Sequence, residues 1–323
     1  KGIMKNLALP IIAVFASGCI AQEVDLDSLV LADGFSITVY AELDGPRQMA
    51  LGTDGVVYVG SQRGKVTAVI DQDHDGVAER MVTVAEGLNR PNGVAYANGD
   101  LYIGEIHRIS KVSDIDARRS GVSPTETVND SLPEDRHHGM KFLQIGPDGK
   151  LYLPVGAPCN VCEVTEQYAA IYRMNLDGSE LTKIADGVRN TVGFDWHPQT
   201  GEFWFTDNGR DLFGDNRPPD ELNRAPSKGL HFGFPYFYGK TVVDSEFRPP
   251  TRKHELPITE LNAHVAPLGM LFYQGEMFPA RYQNKIFIAE HGSWNRSVEA
   301  GHTGYRITLV DPMTGDSATF IDG

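Results

Sequence analysis

Cysteine is scarce in this chain, three in 323 residues, which excludes a small scaffold held together by disulfides. Positive charge is scarce as well: Lys and Arg number 29 against 43 Asp and Glu, a formal net charge of -14. No basic run reverses that balance locally, so phosphate backbones and anionic membrane surfaces are repelled, and nucleic acid is excluded as a partner. The one apolar run of note, Leu7 to Phe15, is too short to span a bilayer. Helix-period patterning is also missing, apart from that run and the stretch Ser113 to Arg118. What the chain does have is turn formers and aromatics, 34 Gly, 19 Pro, 15 Phe and 12 Tyr, the composition of an all-β globular fold.

The N-terminus reads as an export signal over residues 1–24. Lys5 supplies positive charge, Leu7 to Phe15 the apolar run, and Ala16-Ser17-Gly18-Cys19 the small residues of a processing site. Two readings of Cys19 stand side by side: a lipoprotein site, with a lipid as the only membrane contact, or an incidental cysteine in a plain cleaved signal. Either way the protein is expected to be exported, to the periplasm or as an outer-membrane lipoprotein of a bacterium. The other two cysteines, Cys159 and Cys162, form a Cys-Asn-Val-Cys pair. In an oxidising compartment a local disulfide is expected there, because a zinc site would need two further ligands at suitable spacing.

From Asp25 onward one pattern recurs: a polar lead-in, a short apolar strand, a Gly/Asp/Asn turn and a second apolar strand. It appears at Arg47 to Gly60, at Asn92 to Gly104, at His138 to Leu153, at Asn190 to Phe205, and more loosely at His264 to Ala289. The turn glycines Gly55, Gly99, Gly149 and Gly201 lie 44, 50 and 52 residues apart, about the length of a four-stranded propeller blade with its loops. The reading is a single domain over residues 25–323, a six-bladed β-propeller whose last blade is truncated. The alternating segment Phe35 to Tyr40 is expected to be the strand that closes the ring.

In a propeller the loops leading into the innermost strands open on one face, where ligands bind. Here they carry Arg47-Gln48, Arg90-Pro91-Asn92, His137-His138, Arg189-Asn190 and His264. Single charged residues usually cap strands or pair with acidic loops. Five lead-ins in register that each supply a cation, imidazole or amide instead point to a basic funnel inside an acidic protein, suited to an anionic ligand.

Several motifs now carry a family resemblance. They are His137-His138-Gly139, Ile145-Gly146-Pro147-Asp148-Gly149-Lys150-Leu151-Tyr152, Gly187-Val188-Arg189-Asn190-Thr191-Val192-Gly193-Phe194, Phe205-Thr206-Asp207-Asn208-Gly209-Arg210-Asp211, and Ile288-Ala289-Glu290-His291-Gly292-Ser293-Trp294-Asn295-Arg296-Ser297. In this order they resemble the glucose/sorbosone dehydrogenases that use pyrroloquinoline quinone (PQQ), the last motif the sorbosone branch in particular. The resemblance implies PQQ and calcium on the channel face, a sugar, aldose or polyol as substrate, and an external electron acceptor such as a quinone or cytochrome. It makes His138 the general base, for which an imidazole with a pKa near neutrality is suited. It places Arg189 and Asn190, and with them Arg296 and Arg306, on the cofactor, beside Arg47 and His264 of the funnel, and gives the main-chain carbonyls of Gly209 and Arg210, with the Asp207 carboxylate near them, to its calcium. Two departures from the family pattern stand out: Gln274 replaces a cofactor-binding lysine, and Ala157 an acid near the quinone.

A second calcium candidate is Asp71, Asp73 and Asp75 with Gly76 and Glu79, the oxygen-ligand spacing of an EF-hand-like loop. Its twelfth position is Val82 rather than Glu, and the bland alternative is a solvated acidic turn. Two other functions remain open: a calcium-dependent lactone hydrolase, which would want several carboxylates converging on the metal, and a non-catalytic binding propeller, whose ligand face would be richer in aromatics.

Overall fold

The computed structural model describes residues 25–323; the expected export signal over residues 1–24, with Cys19, lies outside the described residues. After β1 (Val30–Leu31), the first blade is β2 (Pro46–Leu51), β3 (Val57–Ser61), β4 (Lys65–Ile70) and β5 (Arg80–Glu86). The second is β6 (Gly93–Ala97), β7 (Asp100–Gly104), β8 (Ile109–Val112) and β9 (Glu126–Asn129), with one helical turn, α1 (Ile115–Arg118), between its last two strands. The third is β10 (Gln144–Ile145), β11 (Leu151–Val155), β12 (Ala170–Met174) and β13 (Thr182–Asp186). The fourth is β14 (Phe194–Trp196), β15 (Phe203–Asp207) and β16 (Asp220–Ala225), followed by an excursion before its last strand. In that excursion β17 (Leu230–His231) pairs in parallel with β13, and β18 (Phe237–Tyr238) forms a hairpin with β19 (Val242–Val243) before β20 (Thr259–Leu261) completes the blade. The fifth is β21 (Pro267–Phe272), β22 (Ile286–Glu290), β23 (Arg306–Val310) and β24 (Ser317–Asp322).

Local chemistry accounts for these meanders. Ala97 and Asp100 pair across Asn98-Gly99, whose two residues hold φ of 53° and 87°, the two-residue turn for which Asn-Gly is favoured. In the second, third and fourth blades the middle strands are apolar on both sides because the sheet is sandwiched between two others; all five residues of β11 are buried. Four such interfaces are packed: Tyr58 and Val66 against Leu101 and Ile103, Tyr102 against Leu151 and Leu153, Ile171 against Phe194 and Phe205, and Trp204 and Leu222 against Met270 and Ile288. Near the axis the backbones themselves approach. A Cβ on Gly93 would lie 2.5 Å from the Lys141 carbonyl oxygen and one on Gly193 would lie 2.2 Å from that of Leu268, so only glycine fits.

Two expectations are corrected. Among the described residues there are five blade sheets, apart from the β18–β19 hairpin, and not six blades with a truncated last one, because the strand pair near the C-terminus completes the fifth blade. The segment Phe35 to Tyr40 is not a strand. Val30–Leu31 does the closing instead, pairing antiparallel with Asp322 and Ile321 at the outer edge of the fifth sheet. Phe35 anchors the segment by packing edge-on against Phe278, Tyr282 and Phe320. A largely apolar cavity of about 910 Å³ is lined by the inner strands of the first, second, third and fifth blades, among them Met49, Tyr96, Ile145 and Met270, and by Phe287 of β22.

Candidate active site at the mouth of the channel

Because strands alternate in direction, the lead-ins to all five inner strands emerge on one face and the Gly55, Gly99, Gly149 and Gly201 turns on the other. On the first face a pocket of about 330 Å³ brings together Arg47, His138, Arg189, Asn190, Gly209 and His264, six residues dispersed along the sequence.

His138 is held from its own backbone outward. Its φ is 49°, a left-handed conformation that a side chain adopts only under constraint. Gly156 provides the room, since a Cβ there would lie 2.5 Å from that of His138. The ring Nδ1 lies 2.9 Å from the Ala157 carbonyl oxygen. A carbonyl only accepts, so Nδ1 carries the hydrogen and Nε2 keeps its lone pair. Burial, then the nearby Arg189 cation and then His137, depress the pKa of His138 to about 2. The imidazole is neutral throughout the physiological range. The residue that replaces an acid in the resemblance, Ala157, thus orients the imidazole through its main chain.

Arg189 is buried and mostly committed within the protein. Nε donates to the Asn160 carbonyl (2.8 Å), Nη1 to that of Asn208 (3.2 Å), and Nη2 to Asn160 Oδ1 (2.9 Å) and Asp211 Oδ2 (3.1 Å). Asn160 lies between Cys159 and Cys162, which are joined as expected in a disulfide with Cα atoms 6.2 Å apart. Arg47 is less committed: Nε donates to Asn92 Oδ1 at 3.1 Å, and its two terminal nitrogens bond no group among the described residues.

Asp207 lies beneath the pocket, fully buried, and its two oxygens accept from the backbone N–H groups of Arg189 and Asn190 at 2.8 and 2.6 Å. It fixes the Arg-Asn pair rather than lining the pocket. Two acids line the wall, Asp211 and Asp220, and Asp220 accepts from the N–H groups of Gly209 (2.7 Å) and Ala266 (2.9 Å). Burial raises Asp207 and Asp220 to about 7, and burial followed by repulsion from Asp207 raises the neighbouring Glu221 to about 8. His264, also in left-handed conformation at φ 66°, directs Nε2 to the Gly214 carbonyl at 2.8 Å.

Besides Asp207, four expected residues keep their side chains out of the pocket. The Arg210 side chain turns away to Asp244 and Glu246. Arg296 spends its guanidinium on the carbonyls of Gly301, Asp215 and Ala300. Arg306 pairs across the fifth sheet with Glu290, Nε to Oε2 at 2.7 Å. Gln274 follows β21 and is exposed on the turn face, at the far end of the inner strand. Among the lining residues not singled out are four with polar or aromatic side chains, Asp211, His291, Trp294 and Asn295. All four belong to quoted motifs. Nothing in the sequence says that Asn295, which donates to Asp211 Oδ1 at 2.7 Å, faces inward while its neighbour Arg296 does not.

Fold and site together define a β-propeller with a cationic, amide-rich pocket at its channel mouth. Residues 22–294 match the family described as Domain of unknown function (DUF7133), and the chain belongs to that family. An uncharacterized protein of Borreliella burgdorferi is 35% identical over 315 residues, 93% of this chain and 81% of the relative. Among solved structures, the calcium structure of the Carbohydrate-Active Enzymes Family AA12 protein of Trichoderma reesei superposes with a TM-score of 0.80 at 20% identity, covering 94% of this chain and 89% of the other. The holo PQQ domain of pyranose dehydrogenase from Coprinopsis cinerea does so with a TM-score of 0.74 at 18% identity, covering 91% and 86%.

Proposed function

We propose that this chain oxidises a sugar, aldose or polyol in the channel-mouth pocket, with PQQ as hydride acceptor and an external molecule taking the electrons onward. The observation that carries the reading is His138: a buried neutral imidazole with Nδ1 tied to a main-chain carbonyl and Nε2 available to accept a proton. The arrangement keeps the imidazole unprotonated beside a cation, so that its Nε2 lone pair is free to accept the hydroxyl proton when the substrate is bound.

The donor set fits PQQ, whose three carboxylates need cations and N–H groups. Arg47 has its terminal nitrogens unengaged, and Arg189 keeps one Nη1 hydrogen beyond its four bonds, so these two would hold carboxylates with the Asn190 amide beside them. Gly209 and the Asp220 carboxylate offer oxygens for a calcium ion. When bound, PQQ supplies the two-electron sink for the hydride. The protein's own residues do the rest: His138 Nε2 takes the hydroxyl proton as the C–H bond breaks and C=O forms, and Ala157 keeps the ring in the tautomer that can do so. Trp294, 72% exposed at the rim, offers an aromatic face for a sugar ring. Export, with or without a lipid on Cys19, belongs to the same proposal and is supported by the Cys159–Cys162 disulfide, which persists in oxidising compartments.

His138→Ala tests the base. Turnover should fall by about two to four orders of magnitude while PQQ binding by calorimetry stays within about threefold. A variant that keeps its turnover removes His138 from the role. Because the pKa of His138 is depressed to about 2, kcat of the wild type should show no inflection near 6.5, and one that vanished in the variant would contradict the burial argument.

A further inference from the structure

The turn face carries a second acidic constellation that the proposed reaction does not use. The loop between β4 and β5 holds Asp71, Asp73, Asp75 and Glu79, and one oxygen from each can be chosen so that all four lie within 4.8 Å of one another. None of the four is in an ion pair with Lys or Arg among the described residues. Each turns one oxygen to the loop's own backbone: Asp71 Oδ2 accepts from Gly76 N–H (3.0 Å), Asp73 Oδ1 from Asp75 (3.3 Å), Asp75 Oδ1 from Val77 (2.8 Å) and Glu79 Oε2 from Gln72 (2.7 Å).

These features alone would describe a solvated acidic turn. What sets this loop apart is Asp71. Its carboxylate is buried, although the residue as a whole is only half-buried, and its Oδ1 is shielded from solvent with no hydrogen-bond partner. A carboxylate oxygen that is removed from water and left unpaired beside three further acids is costly unless a cation completes it.

We propose that the β4–β5 loop is a structural calcium site, with Asp71, Asp73, Asp75 and Glu79 as its acidic ligands and water or main-chain carbonyls completing the shell. Hard oxygen ligands in a flexible loop match calcium, which accepts six to eight of them in irregular geometry, better than magnesium, which demands an octahedron and keeps its waters. The ion ties the outer strands of the first blade to the N-terminal segment, because Ala78 N–H donates to the Tyr40 carbonyl at 2.9 Å. Neither the pocket nor PQQ enters this inference.

The test uses the full chain stripped with a chelator and titrated with terbium, exciting tyrosine. Luminescence should appear, be displaced by calcium well before magnesium, and fall in Tyr40→Phe, which removes the tyrosine beside the loop. The exposed pair Asp73→Asn/Asp75→Asn should weaken terbium affinity by about 10-fold or more and abolish the calcium-dependent rise in Tm. His138→Ala should change neither. Binding unaltered in the Asp73/Asp75 variant, or displacement equally effective with magnesium, overturns the assignment. If the Asp73/Asp75 variant is unstable, Glu79→Gln serves the same comparison.

Discussion

At the scale of single residues the site depends on which donors are already engaged. Arg47 and Arg189 have the same side chain and different situations. Arg47→Ala should weaken PQQ binding by roughly 10- to 100-fold, the range for losing a charge-assisted hydrogen bond, with little change in Tm. Arg189→Ala should weaken binding and lower Tm as well, because Asp211 and the Asn160 loop lose their partner. Calorimetry alongside thermal melting separates the two, and equal melting temperatures would contradict the geometry. Lys141 poses a stability question of the same kind. It is fully buried, its ammonium donates only to the Gly139 carbonyl, and burial depresses its pKa from 10.5 to about 7. A depressed lysine favours folding fully above its unfolded pKa, and that contribution is lost as pH falls from about 10.5 through about 7. Wild-type stability should therefore gain from this group by up to about 1.4 kcal/mol per pH unit as pH rises across that window. Lys141→Met should be more stable than wild type at pH 7, with the gap closing toward pH 10; a pH-independent gap would refute the buried-amine account.

At the scale of elements, the disulfide loop is the second support of the pocket. Cys159 and Cys162 bracket Asn160, which accepts from Arg189 twice and whose side chain also bonds Asp211 at both its amide nitrogen and its oxygen. Cys162→Ser, or reduction, should loosen Arg189 and raise the Kd for PQQ severalfold with little change in kcat at saturating cofactor. An unchanged Kd would confine the disulfide to stability. Strands and turns were legible here because period-2 apolar runs and an Asn-Gly turn act over a few residues. The pocket was legible only where a residue's place in the repeat fixed its face: His138, Arg189 and His264 precede inner strands, and so they meet. Arg296 and Gln274 are not in such places. The fate of Arg296 depends in part on the Asp215 carbonyl, 81 residues away in sequence, and that of Gln274 on the length of the β21–β22 connection, neither of which a local pattern records. The closing strand was misplaced for the same reason. Phe35 to Tyr40 alternates well, but its Phe35 is consumed by an aromatic cluster, and the shorter Val30–Leu31 takes the sheet edge.

At the scale of the whole molecule the charge is divided by position. The net charge of -14 is carried largely on exposed loops, among them the acidic β4–β5 loop on the turn face, while the channel mouth gathers cations, imidazoles and amides. An anionic cofactor would meet a favourable field only at that mouth. Five sheets with four packed interfaces build the ring that holds the mouth in place, and the lead-in residues converge because the repeat delivers each to the same face. On the proposed function, this convergence makes a PQQ-dependent sugar dehydrogenase. The most direct measurement is reconstitution: protein freed of metal and cofactor, PQQ and calcium added separately and together, and dye reduction followed across a panel of aldoses and polyols. The account predicts sugar-dependent reduction only when both are present, lost in His138→Ala. Absence of PQQ binding and turnover, or hydrolysis of lactones with calcium alone, would contradict it.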